Sequence, residues 1–155
     1  MQRVLIITPT YNERENLPEL FARVHQSLPE ADVLIVDDNS PDGTGAFVEE
    51  QARQQPWIKV LRRPGKLGLG TAYLAGFRYA LEQGYDYIFE MDADLSHDPS
   101  YLPIMLEAAR DRADLVIGSR RVPGGGTENW GVGRQLISAG GSSVFSSSAR
   151  AADWA

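Results

Sequence analysis

The stretch Tyr87-Ile-Phe-Glu-Met-Asp-Ala-Asp-Leu-Ser-His-Asp-Pro99 decides how the rest of the chain is read. Tyr87 to Met91 form a short, largely apolar run that reads as a buried strand. It stops abruptly at two carboxylates one residue apart, Asp92 and Asp94. Acidic side chains at the end of a buried strand need a purpose, and a divalent cation supplies one. Hard oxygen ligands suit Mg²⁺ or Mn²⁺, and such an ion keeps open positions that a substrate diphosphate can fill. Side chains one residue apart on a strand share a face, yet a strand end turning into a loop can separate them. One carboxylate then holds the metal while its neighbour touches the ligand's sugar. Taken alone, a D-x-D is more often a solvated turn, here leading into a helix begun by Pro99 with Asp98 as N-cap. What surrounds the motif reverses that preference.

Val4-Leu5-Ile6-Ile7, closed by Thr8-Pro9-Thr10, reads as a central parallel strand entering a loop that carries Tyr11 and Glu13. Asn16 is placed to cap the next helix, with Glu19 completing a capping box and Leu17, Leu20, Phe21, Val24 and Leu28 on one face. His25 falls off that face and is expected on the surface. Val33-Leu34-Ile35-Val36 forms a second strand that also runs into carboxylates, Asp37 and Asp38. The following Pro41-Asp42-Gly43 makes a turn, and Thr44 is expected to cap a helix with Phe47, Val48 and Ala52.

A third strand, Trp57 to Leu61, leads into the basic, glycine-rich loop Arg62 to Gly70 and a helix marked by Tyr73, Leu74, Phe77 and Leu81. After the D-x-D, Pro103 is awkward inside a helix begun at Pro99, so a short turn should come first and the helix proper near Pro103. Leu115-Val116-Ile117 is expected as a fifth strand, ending in Gly118-Ser119-Arg120. A glycine-rich loop, Pro123 to Gly126, then leads through Trp130 to a helical stretch with Arg134. From Ser138 onward the chain is Ser-, Gly- and Ala-rich without period and reads as a low-complexity tail.

Strand and helix thus alternate, which implies an α/β fold with a mostly parallel sheet and right-handed crossovers. Ligands in such sheets bind outside the carboxyl ends of the strands. Glu13, Asp38, Asp92, Asp94 and Arg120 all fall at that edge. Separate strand ends converging on one polar rim are not what ordinary turns produce.

Composition narrows the class. The 155 residues suffice for one domain with a sizeable core, and 43% hydrophobic with 23% charged residues is ordinary for a globular protein. The absence of cysteine excludes disulfides, thiolate metal sites and a cysteine nucleophile, and fits a reducing compartment. A net charge of −6 argues against a general nucleic-acid binder. No run approaches the roughly 20 apolar residues of a membrane span, and Met1-Gln2-Arg3-Val4 leads into a strand instead of a signal peptide. The chain is therefore expected to be cytoplasmic and at most peripheral to a membrane.

Five ordered blocks carry a family resemblance: Pro9-Thr-Tyr-Asn-Glu-Arg-Glu-Asn-Leu17, Val36-Asp-Asp-Asn-Ser-Pro-Asp-Gly-Thr44, Lys66-Leu-Gly-Leu-Gly-Thr-Ala-Tyr73, Met91-Asp-Ala-Asp-Leu-Ser-His-Asp-Pro99 and Gly118-Ser-Arg120. Together they resemble the polyprenol (dolichol) phosphate mannose synthases, family-2 glycosyltransferases with the GT-A fold. The resemblance implies a GT-A nucleotide-sugar-binding domain over residues 1–137 and a tail over 138–155. It implies that Pro9, Tyr11, Glu13, Val36 and Asp38 hold the nucleotide of GDP-mannose, while Asp92, Ala93 and Asp94 meet the sugar nucleotide and the metal. Asp94 is the stronger metal candidate. Ser96 stands near the ion where other members carry glutamine, and a hydroxyl there is a weaker ligand. His97 is expected to lie beside the ion or face solvent instead of binding it.

Arg120, Arg134 and Ser138 match residues that the family uses for phosphate, including that of the lipid acceptor, and an arginine fork suits phosphate oxygens. Lys66 and the glycines after it can meet a diphosphate through backbone N–H groups. Gly68-x-Gly70 does not follow a strand as a dinucleotide fingerprint would, which counts against a nicotinamide enzyme. The implied reaction is transfer of mannose from GDP-mannose to a polyprenyl phosphate at the cytoplasmic face of a membrane, inverting to a β-linked product. Mg²⁺ or Mn²⁺ is the implied cofactor, and there is room for a membrane-anchoring partner. After Ser138 the Arg-Asp-Leu-Thr block that leads into the family's acceptor half is missing. The expectation is a truncated chain, with a GDP-sugar-binding fragment, or a transferase using another sugar such as that of UDP-glucose, as alternatives.

Overall fold

In the computed structural model, which describes residues 2–111 and 113–119, four strands form one parallel sheet in the order β3-β2-β1-β4. The strands are β1 (Val4–Thr10), β2 (Ala31–Asp37), β3 (Ile58–Arg62) and β4 (Tyr87–Glu90). The helices are α1 (Leu17–Ser27), α2 (Thr44–Gln54), α3 (Leu69–Glu82) and α4 (Leu102–Asp111), the last preceded by a single 3₁₀ turn at Pro99–Tyr101. The chain divides into two units at Val116, and this architecture is that of the first, Met1–Val116.

Alternation along β1 and β2 sends successive side chains to opposite faces, and both faces are covered. Val4, Ile6, Val33 and Ile35 pack under Leu17, Leu20, Phe21 and Val24 of α1 and Leu102 and Leu106 of α4. Leu5, Ile7, Leu34 and Val36 pack under Ala72 and Ala80 of α3. In register, Thr10 stands opposite Asp37, and Ile7 opposite both Leu34 and Glu90. The ladder continues one residue past β4, where Met91 N–H donates to the Ile7 carbonyl at 3.1 Å. Acidic residues after β2 and β4 therefore flank the end of β1.

The expected faces of α1 and the two-step start of α4 are observed, with Asp98 accepting from Ser100 N–H at 3.0 Å as the N-cap should. Other expectations require correction. The Asn16 side chain occupies the N-cap of α1 but makes no capping bond, because its amide donates to Glu13 Oε2 at 2.7 Å. Thr44 is the first residue of α2 and not its cap; Asp42 reaches forward to accept from Thr44 N–H at 2.9 Å, while Gly43 supplies the positive φ of 83°.

On α3 the large residues are not the buried ones. Leu74 and Leu81 are exposed, whereas Ala72, Gly76 and Ala80 face the sheet. Small residues let this helix approach closely: a Cβ on Gly76 would lie 2.6 Å from Ile7 Cγ2. The run at Tyr87 reads as a buried strand but is only half-buried, since β4 has a strand neighbour on one side alone among the described residues. Leu115–Ile117 forms no strand: Leu115 and Ile117 are each 76% exposed and make no ladder. Arg120, Trp130, Arg134, Ser138 and the tail lie outside the described residues.

Candidate functional site

Three loops at the carboxyl edge of the sheet are laced together by side chains. The loop after β1 leans on the loop after β2: Asn12 N–H donates to Ser40 Oγ (3.0 Å), Glu13 N–H to Thr44 Oγ1 (3.2 Å) and Arg14 N–H to Asp42 Oδ2 (3.2 Å). The basic loop after β3 reaches back over both. Lys66 Nζ sits 4.5 Å from the centre of the Tyr11 ring, which is 39% exposed and presents a flat face at the rim.

The two carboxylates at the end of β2 have different partners. Asp37 is fully buried and satisfied by Arg62 Nε at 3.2 Å, Ser40 N–H at 3.2 Å and the Ser40 hydroxyl. Asp38 and Arg63 form a buried pair, Nε to Oδ1 2.9 Å, and Arg63 Nη2 also donates to Thr71 Oγ1 at 3.0 Å. The Asp38–Arg63 contact is close but misaligned for a hydrogen bond. Asp38 Oδ1 is held by this ion pair, and Arg63 Nη1 is buried without a hydrogen-bond partner among the described residues. The pair neutralises itself inside the protein, so Asp38 is held by Arg63 at the end of β2.

The D-x-D loop is built differently. Tyr73 OH, from α3, donates to Asp92 Oδ1 at 3.3 Å. Asp92 N–H donates to His97 Nδ1 at 3.3 Å, and His97 Nε2 lies 3.9 Å from Asp92 Oδ2. Asp94 is exposed and accepts from Ser96 N–H at 3.0 Å. Hydrogen bonds from the Ser96 hydroxyl and N–H hold the Asp94 carboxyl below its ordinary range, with His97 adding to them against a small burial cost. Asp94 is thus an anion throughout the physiological range.

Asn12, Asn39 and Leu95 have φ of 62°, 58° and 60°, each just beyond the end of β1, β2 or β4. Asparagine tolerates this region, but a leucine there is strained by about 1–3 kcal/mol. Strain at the rim, and at Leu95 inside the D-x-D loop above all, is characteristic of functional loops.

Among the described residues no three His, Cys, Asp or Glu side chains form a group able to hold a metal ion. Two ionisable carboxylates with oxygen-rich neighbours nevertheless fit a hard cation that takes its remaining ligands from a diphosphate.

The described candidates fall into two groups. Tyr11, Glu13 and Asp38 join Arg63 and Lys66 around the ends of β1 and β2, with Pro9 half-buried within β1. Asp92, Asp94 and Ser96 lie beyond β4, and Ala93 is buried between the two carboxylates. Val36 packs entirely within the core beside Leu34. Arg63, Thr71 and Tyr73 were not foreseen. Their signal was faint: Arg63 is one of several basic loop residues, and Tyr73 looks like another apolar helix position.

Comparison with known proteins adds a family. Residues 5–150 match the model of glycosyl transferase family 2. The undecaprenyl-phosphate mannosyltransferase of Micrococcus luteus is 58% identical over 140 residues, covering 90% of this chain and 57% of that protein. The polyprenol monophosphomannose synthase of Mycolicibacterium smegmatis is 53% identical over 138 residues, covering 88% and 52%. The chain spans about half the length of these relatives. Among solved structures, the mannosyltransferase PcManGT from Pyrobaculum calidifontis, in complex with GDP-Man and Mn²⁺, superposes with a TM-score of 0.63 at 23% identity, covering 77% of this chain and 36% of that one. At that identity the likeness speaks for the fold, and the GT-A architecture implied by the sequence resemblance is the one observed.

Proposed function

The chain belongs to glycosyl transferase family 2, and from that premise we propose that it transfers mannose from GDP-mannose to a polyprenyl (dolichyl) phosphate, with inversion to a β-linked product. The relatives' names support the donor sugar and the lipid acceptor, and the likeness to a fold solved with GDP-Man and Mn²⁺ is consistent with both donor and ion. The observation that carries the reading is the spacing of the two polar groups. Asp38 and Asp92 follow β2 and β4 on either side of β1. Two strand spacings, about 10 Å, separate β2 from β4, so a nucleoside diphosphate can span the two strand ends with its base at one and its phosphates at the other.

In this reading Tyr11 offers a face to the base, while the buried Asp38–Arg63 pair fixes the end of β2 against which the base lies. Asp92 and Asp94 would hold Mg²⁺ or Mn²⁺ with Ser96 nearby; when bound, such an ion offsets negative charge on the leaving diphosphate. An oxygen of the acceptor phosphate forms the new bond to the anomeric carbon as the bond to the β-phosphate of GDP breaks, its electron pair departing with GDP. That oxygen is already anionic near neutral pH, so no general base is required and the protein's work is alignment and charge compensation. Arg120, Arg134 and Ser138, outside the described residues, are assigned to the acceptor phosphate by resemblance.

A lipid acceptor supports a reaction at a membrane surface; its cytoplasmic face, peripheral attachment and an anchoring partner are part of the proposal by resemblance. Among the described residues no helix is long and apolar enough to cross a membrane. The test is to incubate the chain with labelled GDP-mannose, GDP-glucose or UDP-glucose, a short polyprenyl phosphate and Mn²⁺. Labelled lipid from GDP-mannose is expected. Label from a glucose donor instead would overturn the sugar assignment, and donor binding without transfer would select a GDP-sugar-binding role.

A further inference from the structure

We propose that Tyr73 is a positioning residue whose hydroxyl holds the Asp92 carboxylate in the orientation in which it meets the donor and its cation. The role rests on the transferase reading above. Tyr73 OH reaches Asp92 Oδ1 at 3.3 Å from a different element, α3, so the bond fixes the D-x-D loop from outside. The loop needs such support. Asp92 is 45% exposed at its side chain, its His97 neighbour stands off at 3.9 Å, and Leu95 holds a φ of 60° that leucine rarely adopts.

The post that carries the hydroxyl is itself fixed on both sides. Two residues earlier, Thr71 Oγ1 bonds back to the Leu67 carbonyl (2.9 Å) and the Gly68 carbonyl (2.7 Å), and lies 3.0 Å from Arg63 Nη2. Three residues later, Gly76 lies so close to Ile7 that even a methyl group would collide, which leaves α3 little freedom to shift over the sheet. One helix therefore ties the Asp38–Arg63 pair to Asp92.

The test uses the full 155-residue chain with Tyr73→Phe, Asp92→Asn and the double substitution, each titrated calorimetrically with GDP in Mn²⁺ and again in EDTA. Tyr73→Phe is expected to leave metal-free affinity unchanged and to weaken metal-supported affinity by roughly three- to tenfold. Because the effect runs through Asp92, the double variant should be no weaker than Asp92→Asn alone. Unchanged metal-supported affinity in Tyr73→Phe, or losses that simply add, would overturn the role. So would an equal loss of metal-free affinity, which would mark a general structural effect. A wild-type chain whose GDP affinity ignores Mn²⁺ would overturn the transferase reading along with it.

Discussion

The two acidic ends of the sheet solve the same electrostatic problem in opposite ways. At the end of β2, Asp37 and Asp38 are buried and matched by Arg62 and Arg63, so the protein supplies its own counter-charge. At the end of β4, Asp92 and Asp94 are more exposed and rest on hydroxyls, N–H groups and a distant imidazole, with no arginine or lysine ion pair among the described residues. Position in the sheet explains the contrast. β2 lies between two strands and under helices, where an uncompensated charge is prohibitive. β4 is an edge among the described residues, where water can solvate a carboxylate until a cation arrives. On the proposed function the first region would meet the base and the second would keep its negative charge for the cation.

Breaking the second region should have the larger functional effect. Asp94→Ala should reduce metal-dependent transfer by on the order of 1,000-fold, as removal of a principal transition-state electrostatic group does, while thermal unfolding stays within about 2 °C because the side chain is exposed. A rate near wild type, measured by labelled lipid formation, would remove Asp94 from the metal site. Breaking the first region should instead unfold the protein more easily. Arg63→Ala leaves Asp38 buried without its cation and should cost about 3 kcal/mol in urea-induced unfolding. Arg62→Ala should cost about 1 kcal/mol, because Asp37 keeps its Ser40 bonds and Arg62 is part-exposed. Equal losses from the two arginines would erase the distinction between them.

The smallest effect is in acid. The Asp94 carboxyl titrates below its ordinary value when folded, so its contribution to stability is complete above about pH 4, its unfolded pKa, and is lost as pH falls through the folded value. Ser96→Ala removes the hydroxyl bond, and the Asp94 titration followed by carboxyl NMR should move upward toward the ordinary range. A midpoint that does not move would show that the Ser96 hydroxyl contributes nothing.

How much of this could be read from the chain depended on whether the cause was local. The β-branched run of β1, the α1 stripe from Leu17 to Val24 and the delayed start of α4 after Pro99 follow from periodicity and proline stereochemistry, and all are observed. Cap chemistry was harder, since Asp42 and Thr44 compete for the same orphan N–H groups and only the turn geometry chooses. The buried face of α3 misled because the largest apolar residues attract notice, while the sheet selects Ala72, Gly76 and Ala80 for close approach. Leu115–Ile117 has strand composition, but a strand needs a ladder partner as well. Of the candidate site, the place of Asp92 and Asp94 just past a strand end was legible in the sequence. Arg63 and Tyr73 were not, because their partners are distant in sequence: the pairing of β2 with β3 brings Arg63 to Asp38, and the packing of α3 brings Tyr73 to Asp92.

On the proposed function one region holds the base and the other the cation-bound phosphates. A calorimetric comparison of guanosine with GDP, each titrated into the chain with Mn²⁺ and with EDTA, tests it most directly. Mn²⁺ should raise affinity for GDP at least about tenfold and leave that for guanosine unchanged. An equal effect of the ion on both ligands, or none on either, would contradict it.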